Sequence, residues 1–398
     1  MSKWETKELQ YCGIDIIDGD RGTNYPSREE FQPEGYCLFL STSNIVDDKF
    51  QIDTGDFITE QKDSLLRKGK LIRDDIVLTT RGTVGSVAYY HRRIPYEHMR
   101  INSGMVILRC DKTFEPLFLY HLCKSSLLKQ QYALFASGSA QPQLPIKDMK
   151  RIKLNIPPLP IQRKIAAILS AYDDLIENNT RRIALLEKMA EEVYREWFVR
   201  LRFPGYEGVP VHHGIPDGWE IKRLDAIVEL AYGKALKDEN RIEGIYPVIG
   251  SSGIVGTHNQ YLVEGPGIIV GRKGNVGSVH WSFASFFPID TVYYVKSDIS
   301  LYYLYFLLQS LSFLDNDAAV PGLNRGQAYA NKFLMPPVEV INQFSDFVQD
   351  IFQQKKNLSE SSANLKKTRD MLLSRLLSGK VEVENLEIAF PVGMQGAE

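Results

Sequence analysis

Asn155-Ile156-Pro157-Pro158-Leu159-Pro160-Ile161-Gln162-Arg163-Lys164-Ile165 opens a helical pattern that the chain writes again from Pro336-Pro337-Val338-Glu339-Val340-Ile341-Asn342-Gln343. Proline is at home in the first helical turn, where its missing N–H has no intrahelical partner to lose, so each Pro-Pro pair marks an entry. Behind the first entry, Ile165, Leu169, Tyr172, Ile176, Ile183, Leu186, Ala190, Val193 and Trp197 follow a 4,3 spacing that only Asn179 interrupts. Behind the second, Phe344, Val348, Ile351, Leu358, Leu365, Leu372 and Leu376 align without a gap, with Lys355, Ser362 and Arg369 as polar interruptions. A seven-residue repeat held this long predicts a left-handed coiled coil, and two matched seams in one chain are expected to pack on each other. At about 1.5 Å per residue, a seam of about 33 residues spans about 50 Å, which places such helices between domains and not inside one. Asn179 is expected to fix the register at a cost in stability. Gly379, after Leu377 and Ser378, is the expected stop.

Three more blocks recur in the same order. Trp4-Glu5 with Leu9 returns as Trp219-Glu220 with Leu224. Arg81-Gly82-Thr83-Val84-Gly85-Ser86-Val87 returns as Lys273-Gly274-Asn275-Val276-Gly277-Ser278-Val279, each after an apolar strand-like run. Phe118-Leu119-Tyr120-His121-Leu122 returns as Tyr303-Leu304-Tyr305-Phe306-Leu307, both reading as short buried helices. A Gly/Pro-rich linker, Phe203 to Pro210 and Gly214 to Gly218, hands over to the second half.

The expected fold is α+β: two β-rich mixed domains in a pseudo-two-fold arrangement, joined by two long antiparallel coiled-coil helices. Residues 1–156 form the first domain, 157–208 the first long helix and linker, 209–335 the second domain, 336–380 the second long helix, and 381–398 a tail that is a short strand or a frayed end. A protein with two similar but non-identical heads suits a ligand that repeats along an axis and differs at its ends, for which double-stranded DNA is the candidate.

Composition narrows the class. Net charge is -2, so a polyanion is not gripped over the whole surface and any nucleic-acid contact is local. Cys12, Cys37, Cys110 and Cys123 form no CxxC pair and no cluster with histidine, which points to neither a disulfide framework nor a zinc site. No stretch approaches the ~18 apolar residues of a membrane span and the first residues lack a signal-peptide pattern, so the expected location is cytoplasmic. Catalytic constellations are absent as well. Asn155-Ile156-Pro157-Pro158 is similar to the Asn-Pro-Pro-aromatic loop of adenine methyltransferases, but an isoleucine intrudes and Leu159 stands where an aromatic would stack a flipped base. Asp217, Glu220 and Lys222 lie too close together to surround a metal from separate strands, and Gly265 to Lys273 lacks Walker spacing.

The Pro-Pro-led helix from Asn155, with Ile254-Val255-Gly256-Thr257-His258 and Gly265 through Gly277, resembles the specificity subunit of type I restriction-modification systems over nearly the whole chain. The resemblance implies two target-recognition domains, each reading half of a bipartite, asymmetric DNA site, with the helices fixing the unread spacer. It implies docking of two adenine-N6 methyltransferase (M) subunits and of restriction/translocase (R) subunits. S-adenosylmethionine is expected on the methyltransferase partner, with no cofactor, metal or catalytic residue in this chain. One departure is that Gln162 has Ile341 at its aligned position. Two rival readings are a self-contained methyltransferase-specificity protein, for which the cofactor motif and catalytic loop are missing, and a two-headed protein-binding spacer without DNA affinity.

The candidate DNA contacts follow from side-chain chemistry. Arg81, Arg272 and Lys273 are placed at strand ends, where a cation meets phosphate or a guanine edge. Asn44, Gln141, Gln143, His258, Asn259, Asn324 and Arg325 come from polar loops whose groups can pair with base edges. Tyr90, Arg92 and Arg93 belong to a run that mixes aromatics with cations. The glycines Gly82, Gly85, Gly274 and Gly277 are expected to allow tight hairpin turns. Trp197 and Phe198 are read either as part of a methyltransferase docking surface or as buried where helix meets head.

Overall fold

The run Ile76-Val77-Leu78-Thr79 is apolar on both faces, and the reason lies in what covers it. In the computed structural model, which describes residues 4–52, 55–138, 142–313 and 322–391, this strand is central to a four-stranded antiparallel sheet. Its neighbours are Met105–Cys110 and Val87–Tyr89, and Ile14–Asp18 lies beyond the former. Alternate residues of a strand point to opposite faces. Ile76, Leu78, Val106 and Leu108 therefore pack against Phe118, Leu119 and Leu122 of the helix Pro116–Lys124, and against Ile165 and Leu169. Val77, Ala88, Met105 and Ile107 pack the other way, on Leu38, Leu40, Met99 and Ile101. That second layer is a three-stranded sheet whose centre, Cys37–Leu40, runs antiparallel to Asp56–Ile58 and parallel to Met99–Ile101. The strands Glu5–Glu8 and Lys153–Ile156 close the head as an antiparallel pair.

The second half repeats this plan strand for strand. Glu220–Arg223 pairs with Lys332–Met335, and Glu229–Tyr232, Val292–Lys296, Gly267–Gly271 and Val279–Ser282 form a four-stranded antiparallel sheet in that order. Tyr246–Gly250 lies between antiparallel Gly253–His258 and parallel Phe287–Pro288, so even the parallel step recurs. The helix Leu301–Ser310 takes the place of Pro116–Lys124.

Both long helices form, as Leu159–Tyr194 and Val338–Leu377. Contacts divide the chain into one unit of Met1–Glu177 with Ala363–Glu398 and a second of Asn178–Ser362. The division cuts both helices, whereas the expected boundaries at 156/157, 208/209 and 335/336 fall where one element gives way to the next. Within the first unit, Asp173 is ion-paired with Arg369, and Ile165 and Leu169 share a core with Leu376. Within the second, Glu187 pairs with Lys355, and Ala190 shares a core with Phe344, Val348 and Ile351. In each unit a later residue of the first helix meets an earlier one of the second, so the segments run antiparallel. All seam positions named from the heptads are buried or half-buried. Asn179 is buried, with Nδ2 3.5 Å from Ser361 Oγ.

Sequence departures have structural reasons. Gln162 is buried, donates from Nε2 to the Pro157 carbonyl at 2.9 Å and accepts from the Glu115 N–H at 2.9 Å, stitching two helix starts together. Its counterpart Ile341 is buried in an apolar core, where Ser345 instead donates to Ser300 Oγ at 2.6 Å. Phe198 is buried against Tyr303 and Phe344, and half-buried Trp197 packs on Phe344, which favours the buried reading of that pair. Gly379 ends the second helix at φ +69°, a left-handed cap. The tail beyond it is neither strand nor free end as far as Leu386: Val383 is buried, and Lys164 Nζ donates to the Glu384 and Leu386 carbonyls at 2.6 and 2.9 Å.

Candidate nucleic-acid interface

The repeated Gly-x-Val-Gly segments are hairpin turns, and glycine is required in them. Gly82, Gly85, Gly274 and Gly277 all have φ between 70° and 90°, the region that a Cβ disfavours. Each turn is tied to two other segments of its own unit. In the first, the Arg81 N–H donates to the Gly104 carbonyl at 3.2 Å, and Arg81 bridges to Gln143, which exchanges backbone hydrogen bonds with Ser137. In the second, the Arg272 and Lys273 N–H groups donate to the Thr291 carbonyl at 2.9 and 3.1 Å, and Lys273 bridges to Gly322. The Leu144 N–H meets the Thr80 carbonyl as the Leu323 N–H meets that of Arg272. Each unit therefore carries the same three-segment platform: a cationic turn, the loop before a sheet strand, and the segment ahead of a short helix.

The side chains on the two platforms differ. On the first, exposed Gln143 stands beside half-buried Arg81, and Asn102 Oδ1 accepts from the Gly104 N–H at 2.9 Å. Arg21 reaches in from the neighbouring strand end, donating to the Ser103 carbonyl at 3.3 Å. Asn44 lies close by in sequence to Thr42, which faces Gly104, but both ends of its amide hold its own loop: Oδ1 accepts from the Ser41 N–H and Nδ2 donates to the Gln51 carbonyl. On the second platform exposed Lys273, Asn324 and Arg325 join Arg272, and Asn324 Oδ1 caps the helix Arg325–Ala330 by accepting from the Gly326 N–H at 2.8 Å. The loop Ser251–Ile254 belongs here too, since the Ser251 carbonyl accepts from Ser278 Oγ at 2.8 Å and Ile254 is 71% exposed.

Other expected contacts lie elsewhere. Tyr90 is corrected from a surface residue to a core one: it is 1% exposed, its hydroxyl donates to the Tyr96 carbonyl at 2.5 Å and Arg73 stacks on its ring. Strand alternation turns Tyr90 toward the interior. Arg93 and exposed Arg92 follow the far end of the hairpin from Arg81, and Arg93 is already engaged by Asp174 at 2.8 Å and Glu177 at 3.6 Å. A cavity of about 770 Å³ at that end is lined by Asp48, Asp74, Glu115, Asp173, Asp174 and Glu177 against Lys49, Arg92, Arg93 and Arg163, an excess of carboxylate that repels phosphate. His258 is likewise corrected: its ring is buried, accepts from the Ile242 N–H at 3.1 Å and packs edge-on to Phe287. Exposed Asn259 follows it, at the end of the Gly253–His258 strand remote from Ser251. Gln141 lies outside the described residues.

The family model for the "Type I restriction modification DNA specificity domain" matches residues 1–188 and 216–364, most of the chain and both of its repeats. The chain belongs to this family. It is a specificity subunit of a type I restriction-modification system, as are its named relatives. The type I restriction enzyme MjaIX specificity subunit of Methanocaldococcus jannaschii is 26% identical over 345 residues, covering 78% of each chain. The EcoKI specificity subunit of Escherichia coli is 26% identical over 152 residues, 37% of this chain and 32% of that one. The crystal structure of the type I restriction-modification system S subunit from M. genitalium superposes with a TM-score of 0.55 at 17% identity, covering 94% of this chain and 96% of that one, so the fold is shared. Among the described residues no helix of the specificity subunit is long and apolar enough to cross a membrane, and no group of His, Cys, Asp and Glu is arranged to hold a metal ion.

Sequence reading missed Arg21, Asn102, Ser251 and Tyr232, the last lying beside the second turn with Arg272 and Arg325 over its ring. Nothing local marks them. They join the platforms because strand order brings ends that are distant in sequence to one edge.

Proposed function

We propose that this specificity subunit reads a bipartite, asymmetric site in double-stranded DNA, one half per unit, through the two turn-centred platforms. The observation that carries the reading is the platform itself: the same backbone arrangement occurs twice, bearing Arg81, Gln143 and Asn102 in one unit and Arg272, Lys273, Asn324 and Arg325 in the other. A repeated scaffold with divergent polar side chains is what two different half-sites require, because phosphate contacts position a reader and base-edge contacts specify it. A net charge of -2 accords with contacts confined to those platforms. In this reading the subunit carries no chemistry. It directs two adenine-N6 methyltransferase subunits, which bring S-adenosylmethionine, and restriction subunits to the site.

A genome-wide map of N6-methyladenine in the source cell, with the gene present and deleted, tests this. Loss of methylation at one bipartite asymmetric motif is the expected result. An unchanged map, with the methyltransferase expressed and active, overturns the reading and leaves a two-headed protein-binding spacer in its place.

A further inference from the structure

The second platform holds an arrangement that its repeat lacks. Tyr232 ends a sheet strand and is 50% exposed, and the Cζ atoms of Arg272 and Arg325 each lie 5.2 Å from the centre of its ring. The three residues come from separate segments, a strand end, the hairpin turn and the start of a short helix. Arg272 is oriented further by donation from Nη1 to the Asp290 carbonyl at 2.8 Å and by the Tyr293 ring at 5.9 Å. Among the described residues neither guanidinium forms an ion pair with a carboxylate. Two like charges are thus gathered on one half-exposed ring, and among the described residues no carboxylate balances them.

The first unit serves as an internal control. Tyr232 pairs with Tyr293 as Asp18 pairs with Val106, Arg272 stands where Thr80 stands, and Arg325 where Ile146 stands. The fold therefore does not need an aromatic ring with two cations at this place. Cations stack on the negative face of an aromatic ring, which holds long side chains in one orientation without cancelling their charge.

We propose that Tyr232 is a positioning residue that gathers Arg272 and Arg325 into a site for the DNA backbone phosphate next to the half-site bound by the second unit. This rests on the proposed function. Phosphate is chosen over a guanine edge because a neutral base leaves both charges uncompensated, whereas a phosphate accepts charge-assisted hydrogen bonds from planar guanidinium groups and balances them.

The test uses the specificity subunit assembled with its methyltransferase subunits. Binding is measured by fluorescence anisotropy across a salt series, on the duplex carrying the mapped motif and on one of unrelated sequence. Tyr232→Leu is expected to weaken binding to both duplexes by about tenfold at low salt. Tyr232→Phe, which keeps the ring, is expected to match the wild type. Arg325→Gln, an exposed change that leaves the fold alone, is expected to lower the slope of log affinity against log salt by about one. Equal losses for Tyr232→Leu and Tyr232→Phe, an unaltered salt slope for Arg325→Gln, or relaxation of the motif at one guanine with the slope unchanged would each overturn the assignment. Absence of duplex binding by the wild-type complex would sink the broader reading together with it, whereas sound wild-type binding matched by Tyr232→Leu sinks this assignment alone.

Discussion

Lys355 Nζ donates to Glu187 Oε2 at 2.8 Å, and this contact accounts for an ammonium that sits in a heptad seam at 5% exposure. The Phe352 ring, 4.8 Å away, covers the same ammonium, and Tyr305 donates its hydroxyl to the other Glu187 oxygen at 2.6 Å. Burial alone would raise the Glu187 pKa, but the hydrogen bonds from Lys355 and Tyr305 outweigh it and hold the carboxyl below its usual range.

Removing the acceptor is therefore expected to cost more than removing the pair. Glu187→Leu leaves Lys355 buried and unpaired, and should destabilise the second unit by about 2 kcal/mol, below the range for fully buried pairs because Glu187 keeps 36% of its side-chain surface. The double variant Glu187→Leu/Lys355→Met should recover most of that loss. Urea denaturation monitored by tryptophan fluorescence checks the order of the three midpoints.

Stability of the first unit is expected to fall with acidity from near-neutral pH. Burial, reinforced by Lys124 and Arg369 and opposed by Asp173, pushes the His121 imidazole down to about 3. Its folded pKa is depressed below the unfolded value of about 6.5, so the unfolded state binds the extra proton first. Stability is fully present above about pH 6.5 and is lost progressively as pH falls toward the folded value. Asp173, whose pKa is also lowered, adds a loss at lower pH, below its unfolded value. His121→Gln should flatten the slope of unfolding free energy between about pH 6.5 and 5, a window it shares with His91, lowered by burial and acting in the same sense, and with Glu115, raised by burial and acting in the opposite sense. An unchanged slope would remove His121 from the account.

Two glycines of one turn should respond unequally to alanine. Gly82 and Gly85 both have positive φ, which costs an alanine about 1 kcal/mol in each case. Nothing lies within 4 Å of a Cβ built at Gly82, whereas one at Gly85 would be 2.7 Å from the ring of Tyr132, a buried residue of the helix Ser126–Phe135. Gly85→Ala should therefore lower the thermal midpoint more than Gly82→Ala. It should also weaken DNA binding, because the turn that carries Arg81 has to shift.

The hairpin-turn cations should act on salt dependence. Arg81→Gln and Lys273→Gln are each expected to reduce the slope of log affinity against log salt by about one if they meet phosphate. If either meets a base, the methylation motif relaxes in one half only. Motif mapping together with a salt series separates the outcomes for each unit.

Much of the architecture was legible because its signals are periodic or local. A heptad seam, a Pro-Pro entry, a Gly-x-Val-Gly turn and a left-handed stop at Gly379 each depend on neighbours within one or two turns of chain, and the repeat supplies every one of the first three twice. The family followed from the same blocks. Which candidate side chains face outward was less legible. Tyr90 and Arg93, three residues apart, read as one exposed run, yet one is core and the other is bound to helix carboxylates.

Periodicity and turn chemistry act over short separations, so the repeated α+β plan, the two long helices and the kind of subunit this is are written in the amino-acid sequence. Which groups share a platform depends on long-range packing. Tyr232, Arg272 and Arg325 meet because the order Glu229–Tyr232, Val292–Lys296, Gly267–Gly271 brings a strand end beside a hairpin turn, and strand order is a property of the packed sheets. The two cations gathered on one ring there, and the carboxylate-rich cavity at the far end of the first unit's hairpin, arise from proximity that no window of sequence contains.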